Sequence, residues 1–231
     1  MKILNLLCLL LLSMWVSADP TPFRAVYQAD YKGLPVSAIG IRELRQVEGN
    51  KYLFTSSAKS FFTSITEQSL FYWQDGIIPV EYKYNRKGVG KNREDRLTFN
   101  WQKNTASFAE TDYNIVPGTL DKLLYQVQMR EDLMAARENI WPKMHYQIAD
   151  RIRLREYEFE ITGKEIIETP IGKFNTVRAT RIRRESDRIT TFWMSPEYEF
   201  LLIRLKQIED NGGFELLLKE AEFNGQPVTG M

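Results

Sequence analysis

Apolar and polar residues alternate along most of this chain of 231 residues. Phe23, Tyr27 and Tyr31 share one parity, and the polar Arg24 and Gln28 occupy the other. A period of two is typical of a β-strand that buries one face. The same alternation predicts further strands at 51–60, 65–74, 77–87, 93–102, 105–112, 143–149, 152–161, 164–169, 175–184, 188–194, 201–208 and 214–223.

Turn motifs separate the predicted strands. Asp75-Gly76 is a hairpin signal, and Asn211-Gly212-Gly213 is typical of a tight turn. Within 152–161 the parity of the apolar residues changes by one position, which turns the buried face of a strand over. We therefore predict a β-bulge near Arg155–Glu156.

One segment, from Thr119 to Glu138, follows a helical period instead. Its apolar residues recur three or four positions apart, and Val116-Pro117-Gly118 marks a break before it. Thr119 is placed to cap this helix, and Asp121 lies in the first turn, where a carboxylate is favourable. The whole pattern predicts a mainly β protein, a single antiparallel open barrel or strongly curved sheet of about a dozen strands with one central helix (about 119–138).

The N-terminus has the layout of a secretory signal peptide. Lys2 precedes an apolar run from Ile3 to Val16, and Val16-Ser17-Ala18 offers a small-residue cleavage site. We predict cleavage after Ala18, a periplasmic location and a single β-rich domain over 19–231; an uncleaved membrane anchor is the alternative. Because the only cysteine, Cys8, lies in this run, the mature chain is expected to lack disulfides and thiolate metal sites.

The charge balance is even, with 31 basic and 30 acidic residues. A nucleic-acid partner would usually require a strongly basic chain or face, so we expect none. No later run reaches about 18 apolar residues, so we expect no transmembrane segment in the mature chain.

Candidate catalytic residues are sparse. His145 is the only histidine, and no nucleophile-elbow motif accompanies it. No calcium-loop spacing occurs, and glutamate pairs on predicted strands arise by chance among 30 acids, so they do not indicate a glycosidase. We expect no enzymatic activity, no catalytic residue, no metal site and no cofactor.

A basic stretch in the first half of the chain includes two tyrosines, Tyr82 and Tyr84. This mixture can hold anionic headgroups or a polyanion. The alternative is a solvated hairpin whose cations protect a sheet edge, and the sequence favours that interpretation. The cations are Lys83, Arg86, Lys87, Lys91, Arg93 and Arg96.

Aromatic residues make up 13% of the chain and are its most informative feature. On the concave face of a curved sheet they either fill the core or enclose an apolar cavity. Filling the core is the simpler interpretation. If they enclose a cavity, the candidate ligand-binding residues are Phe71, Trp73, Tyr82, Tyr84, Phe99, Trp101, Leu124 and Trp193.

Several motifs, taken in order and spacing, resemble one family of exported bacterial proteins. The clearest are Phe23-Arg-Ala-Val-Tyr27, Pro79-Val-Glu-Tyr82-Lys-Tyr84, Asp121-Lys-Leu-Leu-Tyr-Gln126 and Glu168-Thr-Pro-Ile-Gly172. On these the chain is identified as a member of the DUF3108 family of proteins of unknown function. One departure is Asn100, where the family pattern has an aspartate. The resemblance implies a fold but no reaction.

The second half is also similar to the periplasmic lipoprotein carrier proteins. Gly172-Lys-Phe174, Trp193 and the strand Leu201-Leu-Ile-Arg-Leu205 carry this likeness. It implies an open β-barrel with a helical lid that holds acyl chains, at the level of the fold alone.

Three functions stay open from the sequence. The first is a non-enzymatic periplasmic protein that binds a lipid or acyl chain in an open barrel, with the helix across its mouth. The second is a structural or assembly protein of the cell envelope that acts through an interface with an envelope protein. It would have a filled core and an exposed apolar patch elsewhere. The third is an envelope-polymer hydrolase, which requires converging carboxyl groups of raised pKa in a cleft.

Overall fold

Antiparallel β-strands make up most of the structure. The computed structural model describes residues 19–31, 37–136, 140–184, 186–210 and 212–231, so the predicted signal peptide lies outside the described residues. The described chain also has an α-helix, α1 (Tyr125–Ala135), and a 3-10 turn at Pro196–Tyr198. The strands are β1 (Phe23–Tyr31), β2 (Ser37–Glu48), β3 (Lys51–Lys59), β4 (Thr63–Trp73), β5 (Ile77–Gly88), β6 (Arg93–Asn100), β7 (Thr105–Phe108), β8 (Thr111–Asn114), β9 (Met144–Asp150), β10 (Arg153–Thr169), β11 (Gly172–Ile182), β12 (Ile189–Ser195), β13 (Leu201–Glu209), β14 (Gly212–Phe223) and β15 (Gln226–Pro227).

The strands form one sheet that curves into an open barrel. Their order is β8-β7-β6-β5-β4-β3-β2-β1-β14-β13-β12-β11-β10-β9, with β15 paired to β14. The two halves of the chain therefore join where β1 pairs with β14, and the strands at the two ends of this order, β8 and β9, come from the middle of the chain. The predicted fold class, mainly β with one central helix, is confirmed.

The residues between β8 and α1 cross the gap between these two edges. The N–H of Ile115 donates to the carbonyl of Asn104 (2.9 Å). Leu120 then pairs with β9 as a parallel bridge, donating to Gln147 and accepting from Ala149 at 2.9 and 2.8 Å. From this point the chain enters the barrel.

The helix is shorter than the periodicity predicted. It starts at Tyr125 rather than near Thr119, because the backbone of Leu120 is already used in the bridge to β9. Thr119 does not cap it either: its hydroxyl accepts from the N–H of Val116 (3.2 Å). At the other end the helix stops at Ala135, and 137–138 of the predicted helix lie outside the described residues.

The predicted β-bulge near Arg155–Glu156 is wrong. The pairing of β9 with β10 runs without a shift from Arg153 to Phe159, and the irregularity in β10 lies between Ile161 and Gly163. The apolar residues that suggested a change of face, Ile152 and Leu154, are 60% and 36% exposed. They are solvent-facing side chains and do not mark a buried face.

Turns lie alternately at the two ends of the barrel, because successive strands are antiparallel. At the end that we call the closed end, the C-terminal residues cover the sheet. There the N–H of Gly230 donates to Ile171 O, and the hydroxyl of Tyr198 donates to Thr229 O, both at 2.8 Å. The closed end carries the turns 49–50, 74–76, 101–104 and 170–171. The other end, which we call the tip end, carries the turns 60–62, 89–92, 109–110 and 151–152.

Helix α1 runs inside the barrel towards the closed end. Arg130 is buried, and its Nε donates to the carbonyl of Glu199 (2.9 Å) in a closed-end turn. The guanidinium also lies over the rings of Phe23 and Phe223, 4.9 and 5.7 Å from their centroids. The other buried helical residues join the same hydrophobic core as the inward side chains of the strands; they are Tyr125, Val127, Met129 and Leu133.

Candidate functional site

Most of the predicted ligand-binding residues are part of the packed interior. Phe71 is fully buried and stacks on Tyr52, with 5.7 Å between ring centroids. Trp73, Tyr82 and Leu124 are also buried. These side chains therefore fill the barrel and do not line an open pocket.

Three predicted residues from β5 and the end of β6 pack beside this core. Phe99 and Trp101 stack with 5.9 Å between their ring centroids, and the indole N–H of Trp101 donates to Pro79 O (2.7 Å). Tyr84 is partly buried, and the Arg93 guanidinium lies 4.9 Å from its ring centroid. Each of these contacts is local to its own hairpin.

Trp193 lies apart from the others. The side chain of its neighbour Phe192 points into the barrel, where it contacts Tyr125, so Trp193 lies on the opposite face of β12. There its indole N–H donates to Glu165, and the Arg204 guanidinium lies 4.8 Å from its ring centroid. Trp193 is buried and belongs to the same hydrophobic core cluster, but its hydrogen bond and its cation contact join it to Glu165 and Arg204 and not to the other predicted residues.

A small cavity lies between α1 and the inner face of the sheet. Its volume is about 20 Å³, and its walls include Tyr27, Arg42, Met129 and Phe192. A buried water needs roughly 10–15 Å³ of such volume. In the described residues, the interior therefore has room here for a water molecule and not for an acyl chain.

A buried polar cluster holds the start of the helix against the inner wall. Asp121 is fully buried, and its Oδ1 accepts from the hydroxyl of Ser69 (2.8 Å) and from the N–H groups of Leu123 and Leu124 (2.8 and 2.9 Å). Burial raises the pKa of Asp121 to about 6, although these hydrogen bonds favour the ionised form. Its second oxygen is buried without a hydrogen-bond partner in the described chain, so protonation stabilises this site.

Two further groups extend the cluster towards β2 and β5. The hydroxyl of Tyr82 donates to Glu67, and burial raises the pKa of Tyr82 far above its ordinary value. On β2, Arg42 is buried, and its Nη2 donates to the side-chain oxygen of Gln126 (2.5 Å). Burial lowers the pKa of Arg42, and nearby Tyr27, Tyr125 and Glu67 partly offset this.

Sequence reasoning missed most of this cluster, because its members lie far apart along the chain. Asp121 and Ser69 are 52 positions apart, and Arg42 and Gln126 are 84 apart. One signal was present: Arg42 has the same parity as Leu44, on the inward face of β2, where a charge is unusual. Asp121 was predicted to favour the helix start, but not to be buried.

His145 lies on the outside of the barrel. It faces Glu158 across the β9–β10 pair, and its Nε2 is 3.5 Å from a carboxylate oxygen of Glu156. The three side chains offer ligand atoms within 4.8 Å of one another, a donor set that suits a divalent cation such as zinc. Arg184 competes for Glu158 at 3.8 Å. The sequence suggested no metal site at these residues.

The basic stretch lies in the middle of the sheet. β5 pairs with β4 on one side and with β6 on the other, so the interpretation that its cations protect a sheet edge is wrong. Lys83 and Arg96 both form ion pairs with Glu81, at 2.7 and 2.5 Å. The remaining cations, Arg86, Lys87, Lys91 and Arg93, gather at the tip end around the β5–β6 turn.

Comparison with known proteins identifies a family and a fold. A family model described as "Protein of unknown function (DUF3108)" matches residues 26–219. A search of curated proteins gave no match. The chain is similar in structure to a β-barrel-like protein of the domain of unknown function DUF1849 from Brucella abortus, with a TM-score of 0.59 and 10% sequence identity over 90% of this chain and 99% of that one. At this identity the likeness concerns the fold alone.

Proposed function

The chain belongs to the DUF3108 family of proteins of unknown function, and we propose that it is a non-enzymatic protein of the cell envelope that acts through its outer surface, with the filled barrel as a rigid scaffold. The N-terminal pattern of Lys2, an apolar run and Val16-Ser17-Ala18 supports export to the periplasm. In the described residues, no helix has both the length and the apolar character needed to cross a membrane.

The filled interior is the observation that carries this function. Pockets for drug-sized ligands measure roughly 300–1,000 Å³, whereas the cavity beside α1 measures about 20 Å³. The helix and the inward aromatic side chains occupy the volume that a barrel of this kind would otherwise offer to a ligand. A surface then remains as the place where the protein meets its partner.

The use of the interior polar groups supports a non-enzymatic role. Asp121 accepts hydrogen bonds from the turn that starts α1, and Glu67 accepts from Tyr82. Asp121 thus fixes the start of the helix, and Glu67 joins β4 to β5. A hydrolytic triad would need a histidine, and His145 lies on the outer face of the sheet, whereas Asp121 lies inside the barrel.

Native mass spectrometry of the mature protein, released from the periplasm without detergent, tests this function. We expect the mass of the polypeptide alone, and no lipid in a solvent extract of the purified protein. A discrete added mass that extracts as a lipid would contradict the surface-acting function and favour an interior site.

Binding of a lipid or acyl chain after movement of α1 is a second candidate function. The cavity lies directly between α1 and the sheet, with apolar residues making up most of its lining. Polar contacts to Arg42 and to Glu199 hold the helix, and such contacts can exchange for water. Titration with a fluorescent fatty acid, followed by hydrogen exchange, tests it: binding should increase exchange at the α1 amides. Saturable binding without increased exchange would contradict helix displacement.

A further inference from the structure

Two neighbouring hairpin tips form one rigid platform at the tip end. The N–H of Val89, in the β5–β6 turn, donates to the carbonyl of Phe62, in the β3–β4 turn (2.9 Å). Within the latter turn the hydroxyl of Ser60 accepts from the N–H of Thr63 (3.1 Å), and Ser60 N–H donates to Thr63 O (2.9 Å). The two tips therefore hold a fixed position relative to each other.

Three large apolar side chains project from this platform into solvent. Phe61 is 91% exposed, Val89 67% and Phe62 55%. The rings of Phe61 and Phe62 pack edge to face, with 5.1 Å between their centroids. Isolated exposed apolar residues are ordinary, but a contiguous group on neighbouring tips indicates an interaction site.

Cations surround these apolar residues. The segments 59–63 and 86–93 contain no acidic residue, although acidic and basic residues are almost equal in number in the whole chain. Arg93 is partly neutralised by its ion pair with Asp95. The other cations have no ion-pair partner within the described part of the chain: Lys59, Arg86, Lys87 and Lys91.

We propose that this tip patch, formed by Phe61, Phe62, Val89 and the surrounding cations, docks onto a lipid bilayer that contains anionic phospholipid. The inference rests on the surface-acting function proposed above and names its partner. Aromatic and aliphatic side chains at an apex can enter the headgroup and acyl boundary, while lysine and arginine around them pair with lipid phosphates. In this orientation the tip end faces the membrane and the closed end points away from it.

Charge and shape favour a bilayer over a protein as the occupant. The cations without an ion-pair partner in the described residues lie beside only three exposed apolar side chains, whereas the core of a protein interface usually has a larger apolar area that is poor in charged residues. A bilayer accepts such an apex, because its apolar interior lies just beneath a negatively charged surface.

Co-sedimentation of the mature protein with vesicles tests the docking. We expect binding to vesicles of equal parts phosphatidylglycerol and phosphatidylcholine, weak binding to pure phosphatidylcholine, and loss of the difference at high salt. Lys87→Gln with Lys91→Gln should weaken binding about fivefold for each cation removed. Phe61→Ser with Phe62→Ser should weaken it at least about tenfold.

Matched variants away from the patch serve as controls. Ile166 is 60% exposed on the outer face of β10, so Ile166→Ser removes an exposed apolar group elsewhere. Lys103→Gln with Lys173→Gln removes two exposed cations at the closed end. We expect both controls to bind the anionic vesicles as the parent protein does. Equal loss of binding in controls and tip variants would overturn the assignment of the patch.

A fluorescent label tests insertion directly. Because Cys8 is the only cysteine and precedes the predicted cleavage site, Val89→Cys gives a single thiol in the mature chain. An environment-sensitive dye at this position should shift its emission to the blue with anionic vesicles, and the same dye at Ile166→Cys should not. A shift at both positions or at neither would overturn the docking.

Failure of the bilayer docking and failure of the surface-acting function give different results. If the tip variants lose capture of a specific envelope protein while vesicle binding is absent in all proteins, the bilayer is the wrong partner and the surface-acting function stands. If native mass spectrometry finds an extractable lipid and vesicle binding is absent as well, both the surface-acting function and the docking fail.

Discussion

The two ends of the barrel differ in whether the apolar side chains at their turns are buried or exposed. At the closed end, Arg130, the Pro196–Tyr198 turn and the C-terminal residues bury aromatic rings and satisfy backbone groups. At the tip end, the turns between β3 and β4 and between β5 and β6 leave Phe61 and Val89 in solvent. Exposed side chains such as these contribute little to stability, which leaves them available for the docking proposed above.

Replacing one buried and one exposed phenylalanine, in separate variants, is the test of this contrast with the largest expected change in stability. Phe71 is fully buried, and Phe61 is 91% exposed. We expect Phe71→Ala to lower the free energy of unfolding by about 3–5 kcal/mol, because it leaves a cavity in a packed core. Phe61→Ala should change it by less than about 0.5 kcal/mol. Chemical denaturation measures both, and similar losses in the two variants would contradict the contrast between the ends.

Asp121→Asn tests the buried polar cluster at the start of α1 through the pH dependence of stability. The pKa of Asp121 rises from 3.8 to about 6 on folding. As the pH falls from about 7 to about 4, the folded protein therefore binds this proton before the unfolded chain does, and stability increases. The asparagine variant cannot gain in this way. The stability of the parent protein relative to the variant should grow by up to about 3 kcal/mol on acidification.

Denaturation at several pH values measures this difference. Glu131, whose pKa burial raises to about 7, contributes in the same direction but is present in both proteins, so it cancels in the comparison. The exposed Asp75→Asn controls for replacing a carboxyl with an amide. A difference between parent and Asp121→Asn that is independent of pH would show that the buried carboxyl is not the source.

The sequence predicted the sheet well and the buried polar cluster poorly, and the difference has a physical reason. Alternation of apolar residues is a local signal, and Phe23 to Tyr31 forms a strand as expected. The helix start depends on a long-range contact, the bridge from Leu120 to β9, which no local period reveals. The burial of Asp121 likewise depends on Ser69, from a strand 52 positions away.

The aromatic residues also show what a local sequence pattern leaves undetermined. Phe71 and Tyr82 were predicted to face the interior and they do, but Trp193 lies on the other face of its strand. Phe61 and Phe62 lie between the predicted strands 51–60 and 65–74. Their position between two strands was the signal that placed them in a turn, where an aromatic pair has no core to fill.

Arg130→Ala tests the contacts that hold the helix at the closed end, with a smaller expected loss of stability than Phe71→Ala. Its guanidinium hydrogen-bonds Glu199 O and lies 3.6 Å from a Glu199 carboxylate oxygen. Removing a charged hydrogen-bond donor from a buried site should cost about 1.5–3 kcal/mol. The exposed Arg24→Ala is the matched control, with an expected change within about 0.5 kcal/mol. If both variants unfold at the same denaturant concentration, the helix is held at this end by apolar packing alone.

Gly88→Ala gives the smallest and most specific test, because it acts on the link between the two hairpin tips. Gly88 has φ of +116°, and a Cβ there would lie 2.1 Å from the carbonyl oxygen of Phe62. The substitution should cost about 1–3 kcal/mol of stability through strain and should separate the tips. Gly49→Ala is the control: it also has a positive φ, +51°, but nothing lies within 4 Å of the added Cβ. If Gly88→Ala weakens binding to anionic vesicles and Gly49→Ala does not, the fixed spacing of the tips contributes to docking. If both bind as the parent protein does, each tip engages the bilayer on its own, and rigidity at the tip end is a property of the fold alone.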